Sequence, residues 1–403
     1  MRRISPTTFR IARRGTSREI NRQIALNLVR ANQPLSRADL ARLMGVRRGA
    51  ISLLVNELLQ SGLVFEGAKG ESKRGRKPMN LYIETRRRCA VAVDISASRT
   101  LIFATDLLGH PLLEVSEFPT RRRPQALVKD LAQNIGDILA KHREVGECVG
   151  VGVVVSGLVD LDGHLRYSPT LGWRDVDLRD PLQAATGFPV VVENSVKACV
   201  LAQVWAVRGD PPVDGPVAFV NVSDGVGVGI AIDGKLLRGA HNIAGEFGHM
   251  ALDMNGPRCS CGQKGCLEAY VSKRAITARY LGMDAAWPEA AALVGPTVEE
   301  IVALARGGEA RATKALRETG YYLGRGFALI LKSIDPRRVY VGGEITVGWD
   351  LLLPTLREAL REQALIDDAA DMEIRPVPLG EHPRLRGAAA LVNAPAFAAP
   401  IVA

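Results

Sequence analysis

One histidine and three cysteines constrain this chain more than any other feature of its sequence. They form an H-x9-C-x-C-x4-C array made of His249, Cys259, Cys261 and Cys266. One imidazole and three thiolates are the ligand set of a closed, tetrahedral, structural zinc site. Glycines interspersed among these residues permit the tight backbone turns that bring neighbouring cysteines to one ion. The array therefore predicts one structural zinc ion per chain.

The stretch around this array resembles the signature of the ROK family, a name that stands for repressors, open reading frames and sugar kinases. The family pattern G-E-x-G-H, nine residues, C-x-C-G-x-x-G-C and L-E is matched from Gly245 to Glu268. The resemblance implies that His249 binds zinc through one ring nitrogen and faces a sugar with the other. It also implies that Glu246 and Glu268 accept hydrogen bonds from sugar hydroxyls, a role that suits carboxylates because they are strong acceptors.

Charge is distributed unevenly along the chain. Residues 1–88 contain 20 lysines and arginines against 6 acidic residues, whereas the rest of the chain contains 32 against 37. Positive charge concentrated in one small segment indicates a polyanionic partner for that segment. Double-stranded DNA is the partner that we expect.

The basic segment, residues 15–88, has the pattern of a winged helix-turn-helix domain. Helical periodicity starts at Ile20, and Ser36 opens a second helix with Asp39 as its capping-box partner. Gly45 ends that helix one tight turn before a third helix, which is the helix-turn-helix arrangement. The apolar segments Leu63–Phe65 and Met79–Ile83 predict the strands of a wing.

Candidate DNA-binding residues lie on the outer face of the third helix and in the wing. They are Arg47, Arg48, Ser52, Asn56, Arg74, Arg76 and Lys77. Arginines that flank a glycine, as in the wing, suit the narrow minor groove of A·T-rich DNA. We therefore expect an inverted-repeat operator with A·T-rich flanks. Residues 15–88 also resemble the N-terminal domain of ROK repressors, which ROK kinases lack.

From residue 89 onward, apolar β-branched runs alternate with amphipathic helical patterns, as in an α/β domain. The ROK resemblance covers 89–393 and implies a two-lobed α/β actin-like ATPase fold, which is ribonuclease H-like, with a structural zinc site. We expect lobe 1 at 89–200, completed by a C-terminal helix at about 385–397. Lobe 2, with the zinc site, is expected at 201–384.

The residues expected to bind sugar include a change at the catalytic position. ROK kinases carry an E-N-D motif whose aspartate is the general base, whereas Glu193 and Asn194 are followed here by Ser195. A serine hydroxyl without a base partner does not accept a proton at pH 7. The resemblance implies a sugar-binding set of Asn194, Ser195, Glu246, His249, Glu268 and Gly157. The loops Ser156–Gly157 and Tyr167–Trp173 are expected to read sugar stereochemistry.

The nucleotide-binding motifs are altered as well. ROK kinases have a phosphate-binding turn D-I-G-G-T-K, but Asp94 and Ile95 are followed here by Ser96 and Ala97. Without the two glycines, the backbone no longer approaches a phosphate closely. A glycine-rich turn at 225–229 is present, and a second motif at 341–344 lacks its third glycine. We therefore expect neither ATP as a cofactor nor catalytic residues, so the chain is not expected to be an enzyme.

These features predict a sugar-responsive DNA-binding transcriptional regulator, a repressor of carbohydrate metabolism genes. Sugar in the interlobe cleft would modulate operator binding by a homodimer or homotetramer. One alternative is an active ROK-type sugar kinase with an added DNA-binding domain. Another is a regulator with a vestigial sugar pocket that a protein partner controls.

Sequence features also bear on cellular location. The most apolar run, Val149–Val159, is much shorter than the roughly 20 residues that span a bilayer. The N-terminus is rich in arginine and has no apolar stretch of the secretory type. Cysteine spacing of the metal-binding rather than the disulfide type suits a reducing compartment. We expect a cytoplasmic protein without a membrane partner.

Overall fold

The computed structural model describes residues 15–69, 78–205, 215–283, 286 and 293–398. Its helices are α1 Thr16–Asn32, α2 Arg37–Met44, α3 Arg48–Gln60, α4 Pro124–Lys141, α5 Arg179–Thr186, α6 Ser195–Trp205, α7 Leu267–Val271, α8 Lys273–Leu281, α9 Val298–Arg306, α10 Ala310–Ile334, α11 Trp349–Gln363, α12 Asp367–Ala370 and α13 Pro383–Phe397. Its strands are β1 Leu35–Ser36, β2 Val64–Lys69, β3 Met79–Ile83, β4 Arg88–Ile95, β5 Arg99–Thr105, β6 Ser116–Pro119, β7 Glu147–Val155, β8 Leu158–Val159, β9 Leu165–Ser168, β10 Trp173–Val176, β11 Val190–Asn194, β12 Pro216–Val222, β13 Val226–Ile232, β14 Lys235–Leu236, β15 Arg338–Gly342 and β16 Glu373–Pro376.

The N-terminal module contains the predicted helix-turn-helix. Helix α1 begins at Thr16, four residues before the predicted start of periodicity. The Ser36 hydroxyl accepts a hydrogen bond from the Asp39 backbone N–H, and the Asp39 carboxylate accepts one from the Ser36 N–H. This capping box fixes the start of α2. Gly45 ends α2 in the left-handed conformation, with φ of 66°, and α3 follows directly.

Strands β1, β3 and β2 complete this module as a small antiparallel sheet. The first predicted wing strand extends further than expected, to Lys69, and the second has the predicted bounds Met79–Ile83. The predicted wing contacts Arg74, Arg76 and Lys77 lie outside the described residues. The strands of a winged helix-turn-helix module are thus confirmed, whereas the wing contacts stay predictions.

Lobe 1 is built on the five-stranded sheet β11-β7-β4-β5-β6. Strands β11, β7 and β4 are parallel, and β5 and β6 extend the sheet from β4 as the predicted antiparallel meander. Strand β7 is buried from Gly150 to Val155 because helices cover both faces of the sheet. Helices α4 and α5 lie on one face, and α6 and α13 lie on the other.

Lobe 2 repeats this plan with the sheet β14-β13-β12-β15-β16. Strands β12 and β13 form the predicted antiparallel hairpin, and β15 and β16 add in parallel. A large apolar core packs this sheet against α7 to α11. The two related lobes confirm the predicted two-lobed α/β body.

Helix α6 packs into the apolar cores of both lobes. Ala198 lies in the core that α13 shares with lobe 1, whereas Cys199 and Val200 pack against lobe 2 residues such as Phe219. Helix α13 runs very close to α6 at Gly387. A Cβ at this position would lie 2.2 Å from the Ala198 carbonyl oxygen, so the close approach requires glycine. Helix α6 is therefore in contact with both lobes.

The predicted lobe boundary at residue 200 falls within α6, which is one helix from Ser195 to Trp205. We propose placing this boundary after Trp205. The predicted C-terminal helix corresponds to α13, Pro383–Phe397. Among the described residues, no helix combines the length and apolarity needed to cross a membrane.

Candidate functional site

The four predicted zinc ligands lie together in lobe 2. The ligand atoms of His249, Cys259, Cys261 and Cys266 are all within 4.8 Å of one another. His249 Nδ1 lies 3.7 Å from Cys259 Sγ, and Cys261 Sγ lies 3.7 Å from Cys266 Sγ. A tetrahedral zinc ion with bonds of about 2.0–2.3 Å holds its ligand atoms about 3.5–3.8 Å apart. The two 3.7 Å spacings fit one zinc ion, and the Cys261–Cys266 spacing is too long for a disulfide, in which the sulfurs are about 2.05 Å apart.

Local backbone geometry explains why the sulfurs converge. Gly265 has φ of 71°, and a Cβ there would lie 1.6 Å from the Asp253 carbonyl oxygen, so only glycine fits. Burial, reinforced by the neighbouring thiols Cys259 and Cys261, raises the pKa of Cys266 above its ordinary value. Three sulfurs this close need a nearby cation before they can ionise together. The donor set is therefore suited to a divalent metal ion.

Glu268 connects the metal cluster to the turn before β13. One carboxylate oxygen accepts a hydrogen bond from Ser260 Oγ at 2.7 Å and lies 3.5 Å from Cys259 Sγ. The other accepts a hydrogen bond from the Val226 backbone N–H at 3.0 Å. Part of the acceptor capacity of Glu268 is thus used within the protein, and the remaining lone pairs are what it can offer a ligand.

The Glu246 carboxylate differs from that of Glu268 in its hydrogen bonding. It is half-buried, and it accepts no hydrogen bond from the residues that the structure describes. Burial raises its pKa above the ordinary value, and the nearby charge of Lys197 partly opposes that rise. A half-buried carboxylate without a hydrogen-bond partner gains free energy when a ligand donates to it.

Asn194 and Ser195 mark the start of α6. The Asn194 Oδ1 accepts hydrogen bonds from the backbone N–H groups of Val196 and Lys197, which caps the helix, and its Nδ2 donates to the Gly157 carbonyl at 2.8 Å. Most of the Asn194 amide is therefore used within the protein. Ser195 is buried, and its hydroxyl lies 3.4 Å from the Ser156 hydroxyl. These contacts hold the loop at Gly157 against the start of α6.

A buried polar network that the sequence analysis missed lies beside these residues. Lys197 donates to both the carbonyl and the side-chain oxygen of Asn242. Asn242 donates in turn to Glu193 at 3.1 Å, and Arg238 forms an ion pair with the same Glu193 at 3.0 Å. The network ties the segment before Glu246 to α6. Glu193 was visible in the E-N-x motif, but no spacing signal pointed to the other three residues.

The altered phosphate turn contains a buried ion pair. Asp94 is buried, and its Oδ1 lies 2.7 Å from Arg384 Nη2 of α13. Burial raises the pKa of Asp94, and the charge of Arg384 opposes that rise. The turn itself is closed by Ser96, whose hydroxyl donates to the Arg99 carbonyl at 2.6 Å. Arg384 thus supplies, from within the chain, the positive charge next to Asp94.

A second internal ion cluster lies on the lobe 2 side. Lys273 Nζ is 3.0 Å from Asp224 Oδ1 and 3.0 Å from Glu344 Oε1. Burial alone would lower the pKa of Lys273, but these two carboxylates hold it above its ordinary value. Asp224 precedes the glycine-rich segment and Glu344 follows Gly343, so Lys273 joins the two predicted nucleotide motifs through a salt bridge.

The glycine-rich segment at 225–229 also differs from the sequence interpretation. It was interpreted as a turn, but from Val226 onward it is part of strand β13. A Cβ at Gly227 would lie 2.8 Å from Val196 Cγ2, and one at Gly229 would lie 2.4 Å from the Val196 carbonyl oxygen. Close packing of β13 against α6 therefore accounts for these two glycines without a phosphate ligand.

The predicted DNA-binding residues of α3 fall into two groups. Arg47 and Arg48, at the start of the helix, are exposed. Ser52 donates to the Arg48 carbonyl at 3.1 Å, and Asn56 Oδ1 accepts a hydrogen bond from Arg37 at 3.0 Å. The structure thus leaves the two arginines available, whereas Ser52 and Asn56 bond within the module.

The module packs directly on the body through an aromatic cluster. The Arg30 guanidinium of α1 lies 3.5 Å from the centroid of the Trp205 ring, and it donates to the Trp205 carbonyl. The Trp205 and Phe397 rings meet edge to face at 5.2 Å. Burial lowers the pKa of Arg30 to about 10. The last residues of α6 and α13 are therefore in contact with the first helix of the module.

Comparison with known proteins gives one consistent family. The description "ROK family" fits residues 90–394 of the chain. The xylose repressor of Bacillus subtilis is 28% identical over 376 residues, covering 93% of this chain and 95% of the repressor. A crystal structure described as a ROK family transcriptional regulator, homologous to the Escherichia coli MLC protein, is 25% identical with a TM-score of 0.79. That likeness covers 95% of this chain and 97% of the regulator.

A solved kinase of the same family matches less of the chain. The ROK family glucokinase of Streptomyces griseus, in complex with glucose and AMPPNP, is 28% identical with a TM-score of 0.63. It covers 75% of this chain and 98% of the kinase. The family match begins at residue 90, so the N-terminal module is additional to the kinase-like body. The His249 and cysteine cluster is typical of the zinc site in this family. The chain belongs to the ROK family.

Proposed function

We propose that the chain is a sugar-responsive transcriptional regulator that represses carbohydrate metabolism genes by binding duplex DNA. One observation carries this proposal, namely that a helix-turn-helix module and a ROK body share one chain and pack on each other at Arg30 and Trp205. The similarity to a xylose repressor over 93% of the chain supports it. We propose that the protein works in the cytoplasm, together with the DNA that it binds.

The proposed effector is a sugar or a sugar derivative in the interlobe cleft. Glu246 is the main anchor, because its carboxylate has no hydrogen-bond partner among the described residues. Glu268 and Ser195 contribute their remaining capacity. Asn194 acts mainly by holding the Gly157 loop, since its amide already caps α6. The loop at 167–173 is proposed to read sugar stereochemistry.

The proposed cofactor is one structural zinc ion per chain, held by His249, Cys259, Cys261 and Cys266. When bound, zinc supplies a fixed positive charge that keeps three thiolates together. His249 faces Cys259 with Nδ1, so Nε2 is the nitrogen left for the sugar. A ligated imidazole is held in one tautomer and one orientation, which lets it recognise a particular hydroxyl.

We propose that the chain is not a kinase. Ser195 stands where the family motif has its catalytic aspartate, and it lies at the start of α6 beside Ser156 rather than beside a base. On the nucleotide side, Arg384 and Lys273 already neutralise the carboxylates of both motifs. Binding of MgATP would require these ion pairs to separate.

Helix α6 is the proposed route from sugar to DNA. It begins at the proposed pocket with Ser195 and ends at Trp205 against the module, a span of about 16 Å. Lys197 ties its first turn to the segment before Glu246 through Asn242. Closure of the lobes on sugar would therefore move α6 relative to α1. A dimer, or a dimer of dimers, then reads two half-sites about 34–36 Å apart or at multiples of that distance.

Fluorescence anisotropy with the full-length protein tests the proposal. A duplex selected by the protein from a random pool would be titrated at about 150 mM salt, where weak non-specific binding is suppressed. Pentoses, hexoses and N-acetylated amino sugars would then be added in turn. We expect one sugar class to weaken operator binding by about 10²–10⁴-fold. Equal binding to selected and random duplexes would refute the DNA-binding proposal, and a lack of any sugar effect would refute sugar control.

A further inference from the structure

The outer face of α3 carries an exposed leucine at its centre. Ile51, Leu54, Val55 and Leu58 are buried and form the inner face of the helix. Leu53 projects from the opposite side and is 63% exposed, and Gly49, one turn earlier, has open space where a Cβ would stand. Helical geometry places Gly49 and Leu53 on the same stripe. An apolar side chain therefore occupies the middle of the surface that faces away from the module.

The polar side chains beside Leu53 are already used within the module. Ser52 donates to the Arg48 carbonyl, and the Asn56 amide oxygen accepts a hydrogen bond from Arg37. Arg37 is held in turn by an ion pair with Glu66 at 2.8 Å. Bidentate reading of adenine by asparagine needs both the oxygen and the nitrogen of the amide. Arg37 already occupies one of the two lone pairs of the Asn56 oxygen, which leaves that oxygen less free to read adenine.

Leu53 and the exposed Ala50 also lie on this face, and their apolar side chains can contact DNA without breaking a hydrogen bond or ion pair within the module. We propose that Leu53, with Ala50 beside it, reads the 5-methyl groups of thymines in the major groove. This inference rests on the proposed DNA-binding function. Among the four bases, thymine alone presents an apolar group there, and a leucine side chain is complementary to it.

Charge favours DNA over an apolar protein partner for this surface. Arg47 and Arg48 are exposed at the start of the same helix, next to Ala50. Residues 1–88 contain 20 lysines and arginines against 6 acidic residues. An apolar patch within such a positive surface is suited to a ligand that presents phosphates around a methyl group.

Replacing thymine with deoxyuridine tests this contact, because the two bases differ only in the methyl group. The probe is the duplex that the full-length protein selects from a random pool, prepared with each thymine replaced in turn by deoxyuridine. At one or two positions in each half-site, we expect the wild-type protein to bind the deoxyuridine copy about fourfold more weakly, as for one lost methyl contact. Leu53→Ala should bind both copies equally at those positions.

Two further variants make the result specific. Leu43→Ala removes a leucine of similar exposure, 54%, from α2, and it should keep the preference for thymine. Leu53→Met retains an apolar side chain and should keep most of that preference. Equal wild-type binding to every deoxyuridine copy would overturn the inference and leave DNA binding intact, as would a Leu53→Ala protein that still prefers thymine. Failure to select any sequence would refute the proposed function itself.

Discussion

The residues proposed to bind sugar and the residues around the two predicted nucleotide motifs satisfy their charged groups in different ways. We define the sugar side by Asn194, Ser195, Glu246, His249 and Glu268, and the nucleotide side by Asp94, Asp224, Lys273, Glu344 and Arg384. On the sugar side, the Glu246 carboxylate accepts no hydrogen bond from the described residues. On the nucleotide side, both cations pair with carboxylates at 2.7–3.0 Å.

This difference in pairing bears on which ligands each group of residues can bind. A carboxylate without a partner favours a ligand that donates hydrogen bonds, whereas paired charges gain little from a ligand that must first separate them. The sugar side thus has a carboxylate with free acceptor capacity, whereas the charges of the nucleotide side are paired within the chain. Substitutions on one side at a time test whether the two sides act independently.

Loss of a zinc ligand should have the largest effect on the sugar side. Cys266→Ser removes a fully buried sulfur from the cluster. We expect purified wild-type protein to hold about one zinc ion per chain and the variant to hold almost none, because three remaining ligands bind zinc far more weakly. Mass spectrometry of metals in reduced, chelator-free protein gives the measurement.

A thiol outside the cluster provides the control for this change. Cys148→Ser replaces a half-buried sulfur on β7, and it should retain both zinc and the sugar response. Cys266→Ser should lose the sugar response together with the metal, because His249 is then no longer fixed. Wild-type protein without zinc would contradict the proposed metal site.

Removal of Arg384 should be the most damaging single change on the nucleotide side. Arg384→Ala leaves Asp94 buried without its cation, and breaking such a pair costs about 3 kcal/mol of the free energy of unfolding at neutral pH. The pKa of Asp94 is already raised by burial and would rise further without Arg384. When the pKa of a carboxyl group is higher in the folded than in the unfolded state, the free energy of unfolding falls as pH rises through that range.

The pH dependence of this loss distinguishes a charge effect from a packing effect. The variant should lose less stability at pH 5 than at pH 7.5, because Asp94 takes up a proton more readily at the lower pH. Urea unfolding of wild type and variant at both pH values measures this. Asp94→Asn in the variant should restore part of the loss. An equal loss at both pH values would mean that the ion pair is not what holds the two groups together.

Much of this comparison was predictable from sequence, and the reasons lie in particular residues. The zinc cluster was found because its ligands are close in sequence and of one chemical type, so spacing alone locates them. Ser36 and Gly45 fixed the helix boundaries because caps act within a few residues. The sequence analysis singled out Ser195 because it follows Glu193 and Asn194 where the family motif predicts an aspartate.

The contacts that close the nucleotide side could not be predicted in this way. Arg384 and Asp94 lie near opposite ends of the body's sequence, and the packing of α13 against β4 brings them together. Lys197 and Asn242 are likewise far apart in sequence and meet only in the folded chain. Glycines 227 and 229 were misinterpreted because close helix packing and phosphate binding both select glycine.

Removal of the Glu246 carboxylate should lower the affinity for the effector without lowering the affinity for the operator. Glu246→Ala deletes an acceptor of charge-assisted hydrogen bonds, which is worth about 1.5–3 kcal/mol. The effector concentration for half-maximal response should rise about 10–100-fold, with operator affinity in the absence of sugar unchanged. Glu114→Ala, a change to an exposed carboxylate of lobe 1, should leave both quantities as in the wild type. A full response in Glu246→Ala would remove this residue from the sugar side.

A change at Trp205, the last residue of α6, should reduce the coupling between sugar binding and operator binding while leaving both binding sites intact. Trp205→Ala removes the ring on which Arg30 stacks. Sugar affinity, measured by calorimetry, should be unchanged, and the ratio of operator affinities with and without sugar should fall by about 2–30-fold. Arg30→Met should act in the same direction, since its stem still packs but its charge is gone. An unchanged ratio in both variants would place the route elsewhere.

The smallest expected effect comes from restoring the missing carboxylate alone. Ser195→Asp supplies the residue type that ROK kinases use as general base, and a base contributes about 10²–10⁴-fold to such a reaction. That gain requires a bound nucleotide, and Arg384 and Lys273 remain paired with the carboxylates of the nucleotide side in this variant. The turn at Ser96 also stays closed by its own hydroxyl. A coupled assay with MgATP and the effector sugar should therefore detect no phosphorylation by either wild type or Ser195→Asp. Efficient turnover by the wild type would refute the non-enzyme proposal, and turnover by the variant alone would show that the nucleotide side opens more readily than its ion pairs imply.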